Sequence, residues 1–416
     1  MARLLADLTP LRVSPEYRRL WLALAVGNVG QQMTAVAVGI QVYAITGSSW
    51  AVGLVGFFQL VPLIVFGLYG GALSDSHDRR KLGLLTAVGL AVCASALVAQ
   101  SVLGLGSVAL LYGLVAVQSA MFAVGNPARS AMIPRLVGIE LLPAANALSM
   151  LSWNVGFTVG PLLGGLLIGV TGSTTVAYLA DLAAFVVTAY AMFRLRPMPP
   201  LGDAPRRAGW ASVKEGLSFL RGRRNLQMSF YVDISAMVFG MPRALFPAIA
   251  TIWFATSGFA PATVVGILSA APAVGAVVAS VVSGSLGAVR RQGLAVVVCI
   301  VVWGASIAAF GLSRVLWLSV LLLAIAGGAD TISAIFRNTI LQAASPDEYR
   351  GRLGGIYTVV VGGGPRLGDV ESGAVAALAG EAVSVVSGGL ACLVATGALV
   401  AAIPSFLRYD SRHPTP

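Results

Sequence analysis

Apolar residues run along this chain in long unbroken stretches separated by short polar breaks. Neither the alternation of a half-buried strand nor the narrow apolar stripe of a soluble helix is present. The runs fall at roughly residues 20–44, 51–74, 83–103, 106–127, 144–171, 175–194, 226–254, 262–288, 292–312, 315–340, 352–380 and 382–407. About 20 apolar residues carry a helix across a bilayer, so each run predicts one membrane-spanning helix, twelve in all. The longest break, at 195–225, holds RPMPPLGDAPRR, rich in turn formers, followed by WASVKEGLSFLRGRR, which reads as an amphipathic helix lying on lipid headgroups. The pattern therefore predicts an all-α membrane protein in three parts: a six-helix half at 1–194, a linker with a surface helix at 195–225, and a second six-helix half at 226–416.

Two internal echoes support duplicated halves. GPLLG at 160–164 returns as GPRLG at 364–368, and GALSDSHDRR at 71–80 has a degraded counterpart in GSLGAVRRQG at 284–293. Each match is short, but the two offsets are nearly equal. Transporters are commonly built from such repeats, with the substrate site near the midplane between them.

Composition adds what the chain is not. Of its 416 residues, 57% are hydrophobic and 10% charged, with a mean hydropathy of +0.87, whereas soluble domains carry about 25% charged residues. No stretch is left for a separate catalytic domain, so an enzyme is not expected. The 27 basic against 16 acidic residues could suggest nucleic acid, but they sit in short clusters between apolar runs, which is the signature of membrane topology. Assigned to alternate breaks beginning with the N-terminal segment, 24 of the 27 fall on one side. Both termini and the 195–225 linker are therefore expected in the cytoplasm, with the chain in the inner (cytoplasmic) membrane. Arg12, Arg18 and Arg19 precede the first run as in a signal peptide, yet the run is too long for one and no small-residue cleavage site closes it. A retained signal anchor is expected.

Cys93, Cys299 and Cys392 all lie inside apolar runs with no histidine beside them, and His77 and His413 have no second ligand in reach. No metal or other cofactor is expected. Neither Lys81 nor Lys214 sits in a phosphate-binding loop, so ATP does not drive this chain directly.

With those clusters set out, the sequence resembles the major facilitator superfamily. Gly71, Asp75, Arg79 and Arg80 match its GxxxDxxxR[RK] loop after the second helix, with Asp78 as an additional acid. The glycine permits close packing, and an acid beside a helix N-terminus gains from its dipole. The resemblance implies that Asp75 latches this loop when the cytoplasmic side closes. GFTVGPLLGG at 156–165 matches the GxxxGPxxGG of the fifth helix in proton-coupled exporters, through Gly156, Gly160, Pro161, Gly164 and Gly165. Its chemistry is steric: glycines admit a neighbouring helix, and Pro161 removes one backbone hydrogen bond and bends its own. NPARSAMIPRLV at 126–137, YLADLAAF in the sixth run, ALFPAIATIWF in the seventh, and SPDEYRGRLGGIY and GPRLGDVESGAVAAL around the eleventh extend the likeness, which is to siderophore exporters and drug:proton antiporters within the superfamily.

A charge at bilayer depth costs a few kcal/mol or more, so each one is a functional candidate. Asp181, Asp233, Asp330, Asp369 and Glu371 qualify. Burial raises a carboxylate's proton affinity and a neighbouring arginine lowers it, so changing access to water switches protonation. Arg366 and Asp369, three apart, are expected to pair along their helix, while Glu371 has no such neighbour. Asp330 and Arg337, seven apart, share a face near the cytoplasmic end. Asp233 precedes Arg243 by ten residues, and pairing with it would need unwinding near Pro242, so Asp233 is the carboxylate least neutralised by its own helix. The expected order for proton coupling is Asp233 and then Glu371, with Asp369 and Asp181 also able to serve structurally.

In the superfamily, helices 1, 4, 7 and 10 line the central cavity. By that resemblance Asn28, Gln31, Gln32, Gln118, Tyr231 and Asp233 are the polar lining, although Gln31 and Gln118 can equally tie helices together. Phe122, Trp153 and Tyr357 lie close by in sequence and suggest a ring-bearing, amphipathic ligand. The expected function is proton-coupled export of an amphipathic small molecule by alternating access, a siderophore first and a broad multidrug range as the alternative. A non-transporting receptor or assembly partner is the remote third reading. The expected partners are the small-molecule substrate, protons and the lipid bilayer, with no nucleic acid and a monomeric chain.

Overall fold

A computed structural model describes residues 7–200, 210–282, 289–410 and 412. Among them all regular structure is helical. After a short α1 (Thr9–Val13) come α2 (Pro15–Thr46), α3 (Ser49–Ser76), α4 (Arg79–Val102), α5 (Val108–Val137), α6 (Leu142–Thr171) and α7 (Thr175–Phe193). The amphipathic stretch forms α8 (Trp210–Leu220). Then follow α9 (Arg224–Phe239), α10 (Phe246–Ile252), α11 (Pro261–Val282), α12 (Gln292–Leu312), α13 (Leu316–Ala343), α14 (Asp347–Ala379) and α15 (Glu381–Ala402). Eleven spans are both long and apolar enough to cross a membrane, with α9 and α10 together making one of them. The twelfth expected span, α14, has 33 residues, carries Arg366, Asp369 and Glu371 within its length, and is not among the eleven.

The helix ends follow local chemistry. Asp78 caps α4, its Oδ1 accepting from the N–H groups of Arg80 at 2.9 Å and Lys81 at 3.2 Å, and Ser107 caps α5 through Leu110 N–H at 3.3 Å. Gly172 ends α6 at φ +69°, a left-handed conformation that costs a residue with Cβ about 1 kcal/mol or more. Between helices, lipid offers no hydrophobic driving force, so close packing needs small residues. A Cβ on Gly389 in α15 would stand 2.5 Å from Ala308 N in α12, and Gly275 and Gly327 press α11 and α13 together backbone to backbone. Outward faces remain apolar, with Val170 77% and Val281 80% exposed, as a lipid-facing surface requires.

The seventh run, expected as one helix over 226–254, is two. Gly240 and Pro242 interrupt it before a 3-10 turn at Arg243–Leu245. Proline has no N–H and crowds the preceding turn, and Gly240 leaves room for the Trp303 ring of α12. The fourth run, by contrast, continues past Asn126 and Pro127 to Val137, because buried Ala128, Met132 and Leu136 repeat every four residues and keep one face in the core. Arg129 and Arg337, counted above among the loop charges, therefore lie inside α5 and α13.

The chain divides into two compact units, Met1–Ile45 with Phe58–Gly209, and Thr46–Phe57 with Trp210–Pro416. The change at 209/210 falls within the polar break. The first turns of α3 belong to the second unit, where glycines admit α14. A Cβ on Gly53 would stand 2.5 Å from Asp369 O, and one on Gly56 2.7 Å from Arg366 O. In the first unit, Tyr17, Leu20, Met132, Leu148, Met192 and Met198 form the largest of its buried clusters described.

Candidate functional site

The second unit buries a three-membered ion network. Asp330 and Arg337, seven residues apart on α13, share a face because seven residues make nearly two turns. Arg337 Nη2 lies 3.3 Å from Asp330 Oδ1, while Nη1 pairs with Asp233 Oδ1 of α9. Asp233 and Arg337 side chains are 1% and 2% exposed and Asp330 is 29% exposed, so one carboxylate is dry and the other is partly exposed. Asn338 Nδ2 donates to Tyr357 Oη at 3.2 Å, and a narrow cavity lined by Ser229, Phe230, Arg337, Leu341 and Tyr357 reaches the guanidinium. Two carboxylates and one guanidinium carry a net charge of −1, and one proton makes the set neutral. Asp233 does lack a partner on its own helix; its neutralising group comes from another, which spacing along one helix cannot reveal.

The remaining carboxylates are held differently. The helix breaks at Pro242 and frees Arg243, whose Nη2 reaches not Asp233 but Asp369 Oδ2, at 2.7 Å. Arg366, three residues before Asp369 on the same helix, donates to Gly362 O one turn back. Glu371 is half-buried, and its Oε2 has no hydrogen-bond partner among the described residues. Asp181 is fully buried in the first unit; Oδ2 accepts from Thr34 Oγ1 at 2.8 Å, and Oδ1 has no hydrogen-bond partner among the described residues. Gly30 makes that approach possible, since a Cβ there would stand 2.9 Å from Asp181 Oδ1.

The glycine motif of α6 faces α2. A Cβ on Gly156 would stand 2.9 Å from Asn28 Cβ, one on Gly160 2.6 Å from Gln32 Cβ, and one on Gly164 3.0 Å from Met33 Cα; Pro161 and Gly165 lie buried in the same helix. Asn28 Nδ2 donates to Ser152 Oγ at 3.4 Å, and Gln31, Gln32 and Gln118 are half-buried. Tyr231 is 47% exposed, two residues from dry Asp233 and so on the other side of α9. The side chains of Gly71 and Asp75 lie outside the described residues, as does 284–288 of the second-half echo. Arg79 Nη1 donates to Ala131 O at 3.1 Å, and Arg80 to Met192 O at 3.3 Å and Phe193 O at 2.5 Å. Asp78, besides capping α4, accepts Met198 N–H at 3.1 Å. Arg135 Nη1 donates to Pro199 O at 2.6 Å, and Arg196 Nη2 to Arg135 O at 2.8 Å. These contacts pin residues 196–199 to the first unit.

The sequence pattern of the transmembrane secretion effector family matches residues 5–412. The chain belongs to this family, a branch of the major facilitator superfamily. It is 29% identical to the enterobactin exporter EntS of Citrobacter koseri over 418 aligned residues, covering 99% of this chain and 97% of that one. It is 28% identical to the EntS of Shigella boydii, with the same coverage. Among solved structures, a POT peptide transporter superposes with a TM-score of 0.75 at 12% identity, covering 95% of each chain. The nucleoside transporter NupG gives 0.72 at 13%, covering 95% of this chain and 100% of that one; at such identities the likeness concerns the fold. The chain is thus a multi-pass membrane transporter of a small-molecule substrate and not an enzyme.

Proposed function

We propose that this member of the family is a proton-coupled exporter of the inner membrane, with both termini in the cytoplasm, that moves an amphipathic siderophore outward by alternating access. The observation that carries the coupling is the Asp233–Arg337–Asp330 network. A set with one excess negative charge, one member dry and one partly exposed, exchanges a single proton as a unit, with the two carboxylates sharing the titration. Loading that proton removes a buried charge, which lowers the cost of a conformation that closes the site from water. Proton and substrate then act on the same equilibrium and are coupled through it. The siderophore assignment rests on full-length similarity to enterobactin exporters, and the orientation on the positive-inside pattern.

The test is substrate flux in proteoliposomes with an imposed pH gradient. Unmodified protein should move enterobactin uphill and stop when the gradient is dissipated. Asp233→Asn and Asp330→Asn should each lose uphill transport while retaining downhill exchange. Flux that ignores the gradient would refute coupling. Equal gradient-driven flux of ethidium and enterobactin would favour the multidrug reading, and no flux of either would leave a receptor.

A further inference from the structure

The first unit holds a guanidinium within a helix long and apolar enough to cross a membrane, and the proton network does not use it. Arg129 lies eight residues before α5 ends at Val137, about 12 Å along the helix axis. Its Nε donates to Gly125 O at 3.2 Å, so the side chain curls back along its own helix. Nη2 is buried without a hydrogen-bond partner. Among the described residues no carboxylate forms an ion pair with it. Gly125 makes the room: a Cβ there would stand 2.6 Å from Nη2 and 2.6 Å from Thr86 Oγ1 of α4. An arginine within a membrane-spanning helix faces protein or a water-filled path rather than lipid tails. Among the described residues it has no counter-charge.

One side of the charge carries an aromatic ring. The Arg129 guanidinium lies 5.9 Å from the Phe122 ring centroid. Phe122 meets Trp153 of α6 edge-on at 6.0 Å and 85°, and Trp153 stacks on Phe157 at 5.7 Å and 20°. Trp153 and Phe157 remain 36% and 41% exposed. Rings at these spacings attract a further ring in the same offset or edge-on manner, and the guanidinium at the end of the ladder supplies a charged hydrogen-bond donor set.

We propose that Arg129, Phe122, Trp153 and Phe157 form a subsite for an anionic aryl group. The ring packs on the Phe122–Trp153–Phe157 ladder, and a carboxylate or ionised hydroxyl on it meets the Arg129 guanidinium. The proposal names the substrate chemistry for the exporter reading above and rests on that reading only for the purpose of binding. An aromatic cation is disfavoured by like charge, and an aliphatic anion gains the charge contact without the rings.

The experiment is equilibrium binding to purified full-length protein in lipid nanodiscs, using radiolabelled salicylate competed by benzyl alcohol, benzylammonium and acetate. A charge-assisted contact predicts salicylate binding at least about tenfold tighter than benzyl alcohol. Acetate and benzylammonium should compete more weakly still. Arg129→Gln should reduce the salicylate preference to about twofold or less, with Arg129→Lys intermediate, because a compact ammonium keeps charge but not the planar fork. Trp153→Leu should weaken salicylate and benzyl alcohol alike and leave their ratio. Equal binding of salicylate and benzyl alcohol to the unmodified protein would overturn the proposal, as would an unchanged preference in folded Arg129→Gln. Acetate competing as well as salicylate would also overturn it, showing an anion site without ring recognition. The wild-type comparison decides even if Arg129→Gln does not fold. Gradient-driven flux in the same preparation separates the two readings: flux without aryl-anion preference sinks this inference alone, and the preference without gradient dependence sinks coupling alone.

Discussion

Replacing Arg337 with methionine should be the most destabilising change in the second unit's ion network, and burial sets the size. Methionine keeps most of the length and apolar body of the side chain, so packing changes little. What remains is Asp233, 1% exposed, with its neutralising partner gone; breaking a buried pair from one side costs about 3–5 kcal/mol. Asp330 is 29% exposed and partly screened, so Asp330→Asn should cost about 1 kcal/mol or less. The double change Arg337→Met with Asp233→Asn removes the stranded charge. It should therefore recover about 2 kcal/mol relative to Arg337→Met alone, a strong departure from additivity. Reversible unfolding in mixed micelles titrated with dodecyl sulfate measures all four proteins on one scale. Arg337→Met within 1 kcal/mol of the parent, or a double variant no more stable than Arg337→Met, would show that the pair does not hold the network together.

Gly160→Leu should reduce both folded yield and export, since even a Cβ there would lie 2.6 Å from Gln32 Cβ and 2.8 Å from Val29 O; Gly113→Ala, with open space around it, should be neutral or stabilising by up to about 1 kcal/mol. Full activity in the leucine variant would remove the steric meaning of the α6 motif. Asp78→Ala should lose about 1 kcal/mol of capping and release Met198 N–H, seen as faster hydrogen exchange in α4's first turn and at residues 196–199. Unchanged exchange at both places would show that the aspartate holds neither.

Eleven of the twelve expected spans were legible because a bilayer imposes one simple demand, a run of apolar residues about 20 long, and these segments meet it openly. The helix at Trp210–Leu220 and the small-residue contact of α6 were legible for a related reason, since periodicity and glycine spacing act within one helix. What escaped was long-range or context-bound. The partner of Asp233 sits 104 positions away in sequence. Asp369 also takes Arg243 from another element, because Gly240 and Pro242 turn the chain there. Arg129 falls beyond the fourth apolar run, which ends at about residue 127. The four-residue repeat of Ala128, Met132 and Leu136 was the signal that the helix goes on.

The backbone-to-backbone seams at Gly53, Gly275, Gly327 and Gly389 also bear on how this chain can change over generations. Every single-base change that alters a glycine codon's amino acid adds at least a Cβ or ends the chain, and at these seams a Cβ meets a neighbouring main chain that cannot turn aside. The lipid-facing valines and leucines are under no such constraint, because acyl chains accept almost any apolar outline. Mutational drift is thereby channelled outward to the lipid surface, and a helical frame can persist while most of its letters are replaced.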